Sequence, residues 1–314
     1  MDLITSRAII GHYYCSLAAY DGASWVGAIS NMFTSDQDGE TYAWLGQTPA
    51  MREWIGGRHA KGFTENSITI KNKHFEATLD LLIKDMRRDK SGQIMARVAE
   101  LAKRTSTHWA SILSTLIKDG ETLPCYDGQY FFDTDHEEGD SGVQSNLIDI
   151  DISAFPTAIH GVVTAPSVEE MQLSISTAIS KMYEWVDDQG EPMNEDLSAV
   201  KVMVPVSLMN VTAQAIQTPL QVDASQTALT ALKQDFTISM AVNPRLDWTD
   251  AFALFRTDSN IKSLIRQQET DVMMKAKAEG SEYEFDNDAH QYGVDAWRNV
   301  GFGMWQGAIK ANMV

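Results

Sequence analysis

The chain has 314 residues, 44% of them hydrophobic, with 25 Lys/Arg against 43 Asp/Glu and a formal charge of −18. That length allows one large domain with excursions, or two domains sharing chain crossings, around a sizeable core, and the acidic balance argues against a free nucleic-acid binder. The two cysteines, Cys15 and Cys125, provide no disulfide framework and suit a reducing cytoplasm. The start MDLITSRAII lacks a basic n-region followed by a long apolar stretch, so no signal peptide is expected. No uninterrupted run of about 18 apolar residues predicts a membrane span.

Residues 1–42 read as mixed and speckled with aromatics: Tyr13, Tyr14, Tyr20, Trp25 and Phe33. Ser35 to Glu40 reads as a polar turn, and Gly56-Gly57 breaks the irregular segment around Trp44 and Trp54. From 67 to 83 the pattern is extended. Ile68 and Ile70 alternate with polar neighbours; Phe75, Ala77, Leu79, Leu81 and Ile83 alternate in the opposite phase. The phase shift at Lys71–His74 implies either a bulge in one long strand or the turn of a hairpin. Either way the arm buries little against its own chain and invites a partner surface.

A long helix is expected over 91–118, with Ile94, Val98, Leu101, Thr105, His108, Ile112 and Leu116 on one stripe and Met95, Ala102, Trp109 and Leu113 widening it. Tyr126 to Asn146 reads as an acidic loop. A second helix starts at Ser167, where Glu170 completes a capping box, and its apolar face runs through Val168, Met171, Ile175, Ile179, Met182 and Val186. KVMVPVSL (201–208) predicts a buried strand entering a short helix, and 213–233 reads as helix or loop. FTISMAVNP, AFALFRTD, SLIRQQETDVMMKAKAE and the Gly- and Trp-rich end predict further strands. Without a 20–50-residue repeat, the class is α+β.

Charge is segregated along the chain. Arg52 to Arg104 holds 12 Lys/Arg against 7 Asp/Glu; the rest holds 13 against 36. Solvated faces are one explanation. The sharper one is a basic segment meeting acidic surface on another copy. An excess of five is small for a binder driven by counterion release from phosphate. The ligand-like cluster is DTDHEEGD, Asp133 to Asp140. EF-hand spacing fails there, because position six is Glu138 and position twelve is Gln144. FDNDAH (285–290) repeats the D-x-D beside a histidine. Solvated turns or intersubunit contacts are preferred over a metal site for both. No HExxH, GxSxG, P-loop or GxGxxG occurs, and His108 on the helix stripe reads as packed and hydrogen-bonded. No catalytic residue, cofactor or metal ligand is assigned.

The blocks TYAWLGQTPAMREWIGGR, TIKNKHFEATL, MRRDKSGQI, PCYDGQYFFDTDH, NPRLDWTDAFALFRTD and AEGSEYEFDNDAHQYGVDAWRNVGFGMWQGA resemble the Mu-like prophage major head subunit family. The resemblance runs from about Tyr42 to the C-terminus and is loosest over 200–240. It implies the Hong Kong 97-type capsid fold, with an N-terminal arm over 1–50 and an E-loop over 51–83 whose tip lies between His59 and Asn66. It further implies a peripheral domain over 84–149 containing the spine helix 91–118, an axial domain over 150–249, and a return to the peripheral domain over 250–314.

The function so implied is assembly of hexamers and pentamers into an icosahedral shell around double-stranded DNA, without sequence-specific binding and without a membrane. An acidic inner wall would keep that DNA mobile. Location in a virion assembled in the bacterial cytoplasm is expected, with portal and separate scaffold or decoration proteins as partners. The scaffold is expected to be separate because the chain begins at Met1. Arg58, Lys61, Lys71, Lys73, Arg87 and Arg88 are the expected intersubunit contacts. The alternatives are a cellular nanocompartment shell of the same fold and a cytosolic metal-dependent hydrolase using Asp133, Asp135, His136 and Asp288.

Overall fold

The structure, a computed structural model, describes residues 5–42, 67–89, 91–217, 221–222, 225–226 and 236–314. In chain order its elements are α1 (Ser6–Ala19), α2 (Trp25–Ile29), β1 (Ser30–Thr34), β2 (Gly39–Tyr42), β3 (Ile68–Lys71), β4 (Lys73–Leu82), α3 (Ile83–Arg88), α4 (Gln93–Lys118), β5 (Leu147–Ile150) and α5 (Val168–Tyr183). There follow β6 (Ala199–Val204), α6 (Met209–Gln217), the two-residue β7 (Gln221–Val222) and β8 (Ser225–Gln226), β9 (Thr237–Val242), β10 (Ala251–Arg256), β11 (Leu264–Lys277), α7 (Glu282–Asn287), β12 (Ala289–Phe302) and β13 (Ala308–Met313). The α+β class expected from the pattern is observed.

The predicted long helix is α4. Asp89 starts it: the carboxylate accepts from the backbone N–H of Ile94 at 3.0 Å and of Gln93 at 3.2 Å, amides without intrahelical partners. Chiefly through the Ile94 amide, these bonds hold the Asp89 carboxyl below its usual range. At 1.5 Å per residue α4 spans about 39 Å, and it serves two cores. Its first half sets Ile94, Val98 and Ala102 against Ile9 and Tyr13 of α1, Leu81 of β4, and Tyr292 and Val294 of β12. Its second half sends Ala110, Leu113, Leu116 and Ile117 into a larger core with α5, β6, β10 and β13. Helix α1 was not expected from the sequence. Thr5 caps it by accepting from the Ala8 amide at 3.3 Å.

Two sheets divide the strands. The first has the order β1-β11-β12-β4; β1 runs parallel to β11 and the other pairings are antiparallel. The second has the order β5-β13-β10-β6-β9, with parallel pairs at both edges. This differs from the division expected at 249/250. Strands β10 and β13 complete the second sheet with β6, and only 264–302 joins the first sheet with β4. The all-apolar run Ala251–Phe255 explains the placement, since a strand buried on both faces belongs at a sheet centre. On α5 the capping box forms as predicted: Ser167 Oγ accepts from the Glu170 amide at 3.2 Å, and Glu170 Oε2 accepts from the Ser167 amide at 2.7 Å. Val186 lies past the end of α5, bridged to Pro192.

At Lys71–His74 neither a hairpin turn nor a bulge within one strand occurs. Two strands follow one another, and the chain changes partner at Asn72. Strand β3 pairs with β2, from Gly39↔Lys71 to Tyr42↔Ile68, and β4 pairs with β12, from Lys73↔Arg298 to Leu82↔Ala289. The single intervening residue flips the side-chain phase. Asn72 is buried. Its amide donates to Gln37 O at 2.8 Å and to Ser35 Oγ at 3.1 Å, and its Oδ1 accepts from Gln267 Nε2 at 2.8 Å. The β2–β3 ladder pairs the residues on the two sides of 43–66 with each other. The expected tip between His59 and Asn66 lies outside the described residues.

Asn72→Ala removes three hydrogen bonds, two of them to the buried side chains of Ser35 and Gln267. It is expected to lower stability by about 1–3 kcal/mol, read from the urea midpoint of the unassembled chain. An unchanged midpoint would show that the pivot holds without its amide.

Candidate intersubunit surfaces

Of the six basic residues singled out in the sequence, Arg58 and Lys61 lie outside the described residues. Lys71, Lys73, Arg87 and Arg88 are exposed, and none forms an ion pair among the described residues. They do not form one patch. Lys71 and Lys73 flank Asn72 at the start of β4, whereas Arg87 and Arg88 sit in the last turn of α3 beyond its end. Ten residues of strand separate the groups by about 30 Å. Between them β4 is a sheet edge with no strand on its outer side among the described residues, a ready template for another chain.

The acidic loop is anchored at His136, while Thr134, Asp135, Glu137, Gly139 and Asp140 on either side of it are exposed. His136 is fully buried, and its Nδ1–H donates to Asp127 Oδ2 at 2.6 Å. Its Nε2 lies 3.2 Å from Asn146 Oδ1, and its ring stacks on Trp305 with centroids 4.1 Å apart. Asn146 in turn donates to Phe131 O at 2.7 Å and accepts from the Asp133 amide at 2.9 Å. Burial pushes the Glu138 carboxyl up. The loop is thus stapled into the larger core. Asp288 is elsewhere, capping α7 at the turn between β11 and β12 with φ of 47°. Among the described residues no group of three His, Cys, Asp or Glu could hold a metal ion. The hydrolase alternative therefore has no assembled site there. No helix among the described residues is long and apolar enough to cross a membrane.

The middle of α4 holds an arrangement that sequence reading missed. Arg266 of β11 and Arg298 of β12 share the sheet face that meets the helix, and both guanidinium groups approach the Trp109 ring, at 5.7 and 4.9 Å from its centroid. Arg298 is 4% exposed. Neither arginine has a side-chain hydrogen bond or ion pair among the described residues, and the Nε atoms of both are buried without a partner. His108 packs edge-on against Phe75 at 4.5 Å, as the stripe implied, but its Nδ1 is also buried without a partner. Burial pushes Arg298 down to about 10, with nearby Tyr13 opposing. Burial, then the Arg298 charge, pushes His108 down to about 4.

Magnitudes show the arrangement to be under-compensated. Stacking on an aromatic ring returns about 2 kcal/mol or somewhat more when desolvated, whereas burying an ion costs several kcal/mol. Beside Arg298 lies a cavity of about 230 Å³, walled by Phe75, Ala77, Leu101, Thr105 and His108. The only sequence signal was two arginines at strand positions, which alone says nothing of burial.

His108 binds a proton more readily in the unfolded chain, near its ordinary 6.5, than in the folded one. Its contribution to stability is therefore complete above about 6.5 and lost as pH falls toward about 4. Thermal midpoints of wild type and His108→Gln are expected to converge or cross over that window as wild type falls more steeply. Parallel curves would refute the assignment.

The comparisons with known proteins agree with one another. A family model described as Mu-like prophage major head subunit gpT matches residues 12–156 and 233–313. The match starts well before Tyr42, and its gap is wider than the 200–240 stretch. The major capsid protein of Escherichia phage Mu is 34% identical over 116 residues, 37% of this chain and 38% of that protein. The Mu-like prophage FluMu major head subunit of Haemophilus influenzae is 33% identical over 111 residues, 35% of this chain and 36% of its own. Both alignments span little more than a third of those relatives. Among solved structures, a chain of the procapsid of bacteriophage JBD30 superposes with a TM-score of 0.54 at 22% identity, over 97% of this chain and 72% of its own. A chain from the capsid of the cyanophage P-SCSP1u gives 0.56 at 10%, over 94% and 89%. One from the virus-like particle of Pyrococcus furiosus gives 0.53 at 9%, over 98% and 99%. At these identities the likeness is one of fold: a mixed helix-and-sheet fold found in capsid chains.

Proposed function

The chain belongs to the Mu-like prophage major head subunit gpT family, and from that premise we propose that it is the major capsid subunit of a Mu-like tailed bacteriophage, a structural protein and not an enzyme. The observation that carries the reading is the family match on both sides of 157–232, which takes in α4 and both long strands of the first sheet. The physical features agree with it. A two-stranded base launches an arm, a ten-residue sheet edge stands open, and four exposed cations lack partners within the described chain. Such groups suit heterologous contacts repeated around closed rings.

On this reading copies form hexamers and pentamers of an icosahedral shell enclosing double-stranded DNA. The shell is assembled in the bacterial cytoplasm with portal and separate scaffold or decoration proteins, and it is found in the virion. The Hong Kong 97-type parts follow the sheets. Helix α4 is the spine, and the segment carried by β2 and β3 is the E-loop. The first sheet with α1 and α4 is the peripheral domain. The second sheet with α5 and α6 is the axial domain, now including β10 and β13. The N-terminal arm is reduced, since α1 packs on α4 and β1 on β11. The two basic groups, Lys71/Lys73 with Arg58 and Lys61, and Arg87/Arg88, meet acidic surface on neighbouring copies.

Electron microscopy of the purified chain is expected to show closed shells; only dispersed monomers at high concentration would refute the shell reading. Replacing Arg87 and Arg88 together with glutamate is expected to reduce shell yield about tenfold, most strongly at low salt, because exposed pairs are screened. Unchanged yield and size would sink the role of this pair while leaving the shell reading intact.

A further inference from the structure

We propose that the cavity lined by His108 and Arg298 receives a carboxylate side chain from a second copy of the chain, with Arg298 as its buried cationic partner. The inference rests on the shell reading above and names a contact which that reading does not contain. The first ground is geometric. Arg298 is more than nine-tenths buried, its Nε has no partner, and the cavity opens directly beside it. The second is that the surrounding groups fail to supply an anion. Asp295 at the cavity margin places Oδ2 2.9 Å from Lys275 and 3.5 Å from His74, and its Oδ1, buried without a partner, makes no bond to Arg298. Glu76 accepts from Thr78 at 2.9 Å, and the exposed Arg104 is paired with Glu100 at 3.2 Å. No carboxylate among the described residues bonds to Arg298 or Arg266.

Charge decides the occupant. With 43 acidic against 25 basic residues, every copy presents surplus carboxylates. A neighbour held in a shell delivers one at high effective concentration, whereas a free anion must give up its hydration to enter. The walls fit a side chain better than a hydrated ion, because Phe75, Ala77 and Leu101 can cover its methylene groups while the carboxylate reaches the guanidinium. Arg266, 5.7 Å from the centroid of the same Trp109 ring, adds a second positive charge to the same field.

The test compares wild type with Arg298→Met, which keeps bulk and removes charge, and Arg298→Lys, which keeps charge. For the unassembled subunit, Arg298→Met is expected to melt no lower than wild type, since an unpaired buried cation is gone. Its assembly is expected to need about tenfold more protein, with Arg298→Lys in between. A lowered melting point with assembly reduced in proportion would assign Arg298 a purely structural role and overturn the inference. So would assembly of Arg298→Met at wild-type concentration. In a high-resolution electron cryomicroscopy map of wild-type shells, a neighbour's Asp or Glu is expected at about 2.7–2.9 Å from the guanidinium. A free anion, water or a side chain of the same copy in that place would also overturn it. Wild type that formed no shells would bring down the shell reading and this inference together; wild-type shells matched by Arg298→Met shells would bring down this inference alone.

Discussion

The constraint on which the structure depends is that α4 belongs to two hydrophobic cores at once. A helix stripe about 39 Å long cannot be covered by one small cluster, so its two halves are covered separately. Ile94, Val98 and Ala102 are claimed by α1 and the first sheet, and Leu113, Leu116 and Ile117 by the second sheet and α5. Between them, Thr105 to Trp109 is fully buried in neither. That gap is where the chain places groups that a core would reject: a histidine with a free nitrogen and two arginines held only by an indole face. The cavity is a consequence of the same spacing.

The first sheet passes this constraint on to the arm. Strand β12 contributes Tyr292 and Val294 to the smaller core, and it pairs with β4 along that strand's full length. Strand β4 is therefore anchored, and the partner change at Asn72 is displaced to its start. There Gln267 of β11 bonds to both Asn72 and Tyr42, so both strands at the base of the arm are tied to the sheet. Gly301 permits the approach, because a Cβ at that position would sit 2.3 Å from Ile70 Cδ1.

What was legible in the sequence was what depends on local order. The stripe of α4 and the Ser167–Glu170 box are set by neighbours within four residues, and the phase flip at 71–74 marked a real discontinuity although its nature was open. Helix α1 was missed because its aromatics are spread around the helix: Tyr13 is buried and Tyr14 exposed, so no clean stripe announces it. The burial of His136 was not legible because its partners lie nine and ten residues away and Trp305 far beyond. Composition showed the exposed carboxylates but not the indole that stacks on the histidine between them. The pairing of β10 and β13 with β6 was not legible because strand patterns show that a strand is buried, not which sheet buries it. The basic residues proposed for intersubunit contact were legible only as charge. Their separation into two groups about 30 Å apart needed the strand between them.

Charge segregation acquires a physical meaning from these placements. Exposed pairs contribute little to stability, so moving Lys71, Lys73, Arg87 and Arg88 away from the chain's own carboxylates costs the monomer almost nothing. Leaving Arg298 buried and unpaired does cost it, and folded chains are stable by only about 5–15 kcal/mol in total. A sequence that tolerates such a cost in isolation gains most from whatever later supplies the counter-charge. On the proposed shell reading, the outer cations would set which surfaces meet and how strongly salt opposes the meeting, while the inner one would reward only a contact close enough to exclude water. Discrimination between a loose encounter and a seated neighbour thus follows from where the same kind of charge is placed: on the surface or in the gap between two cores.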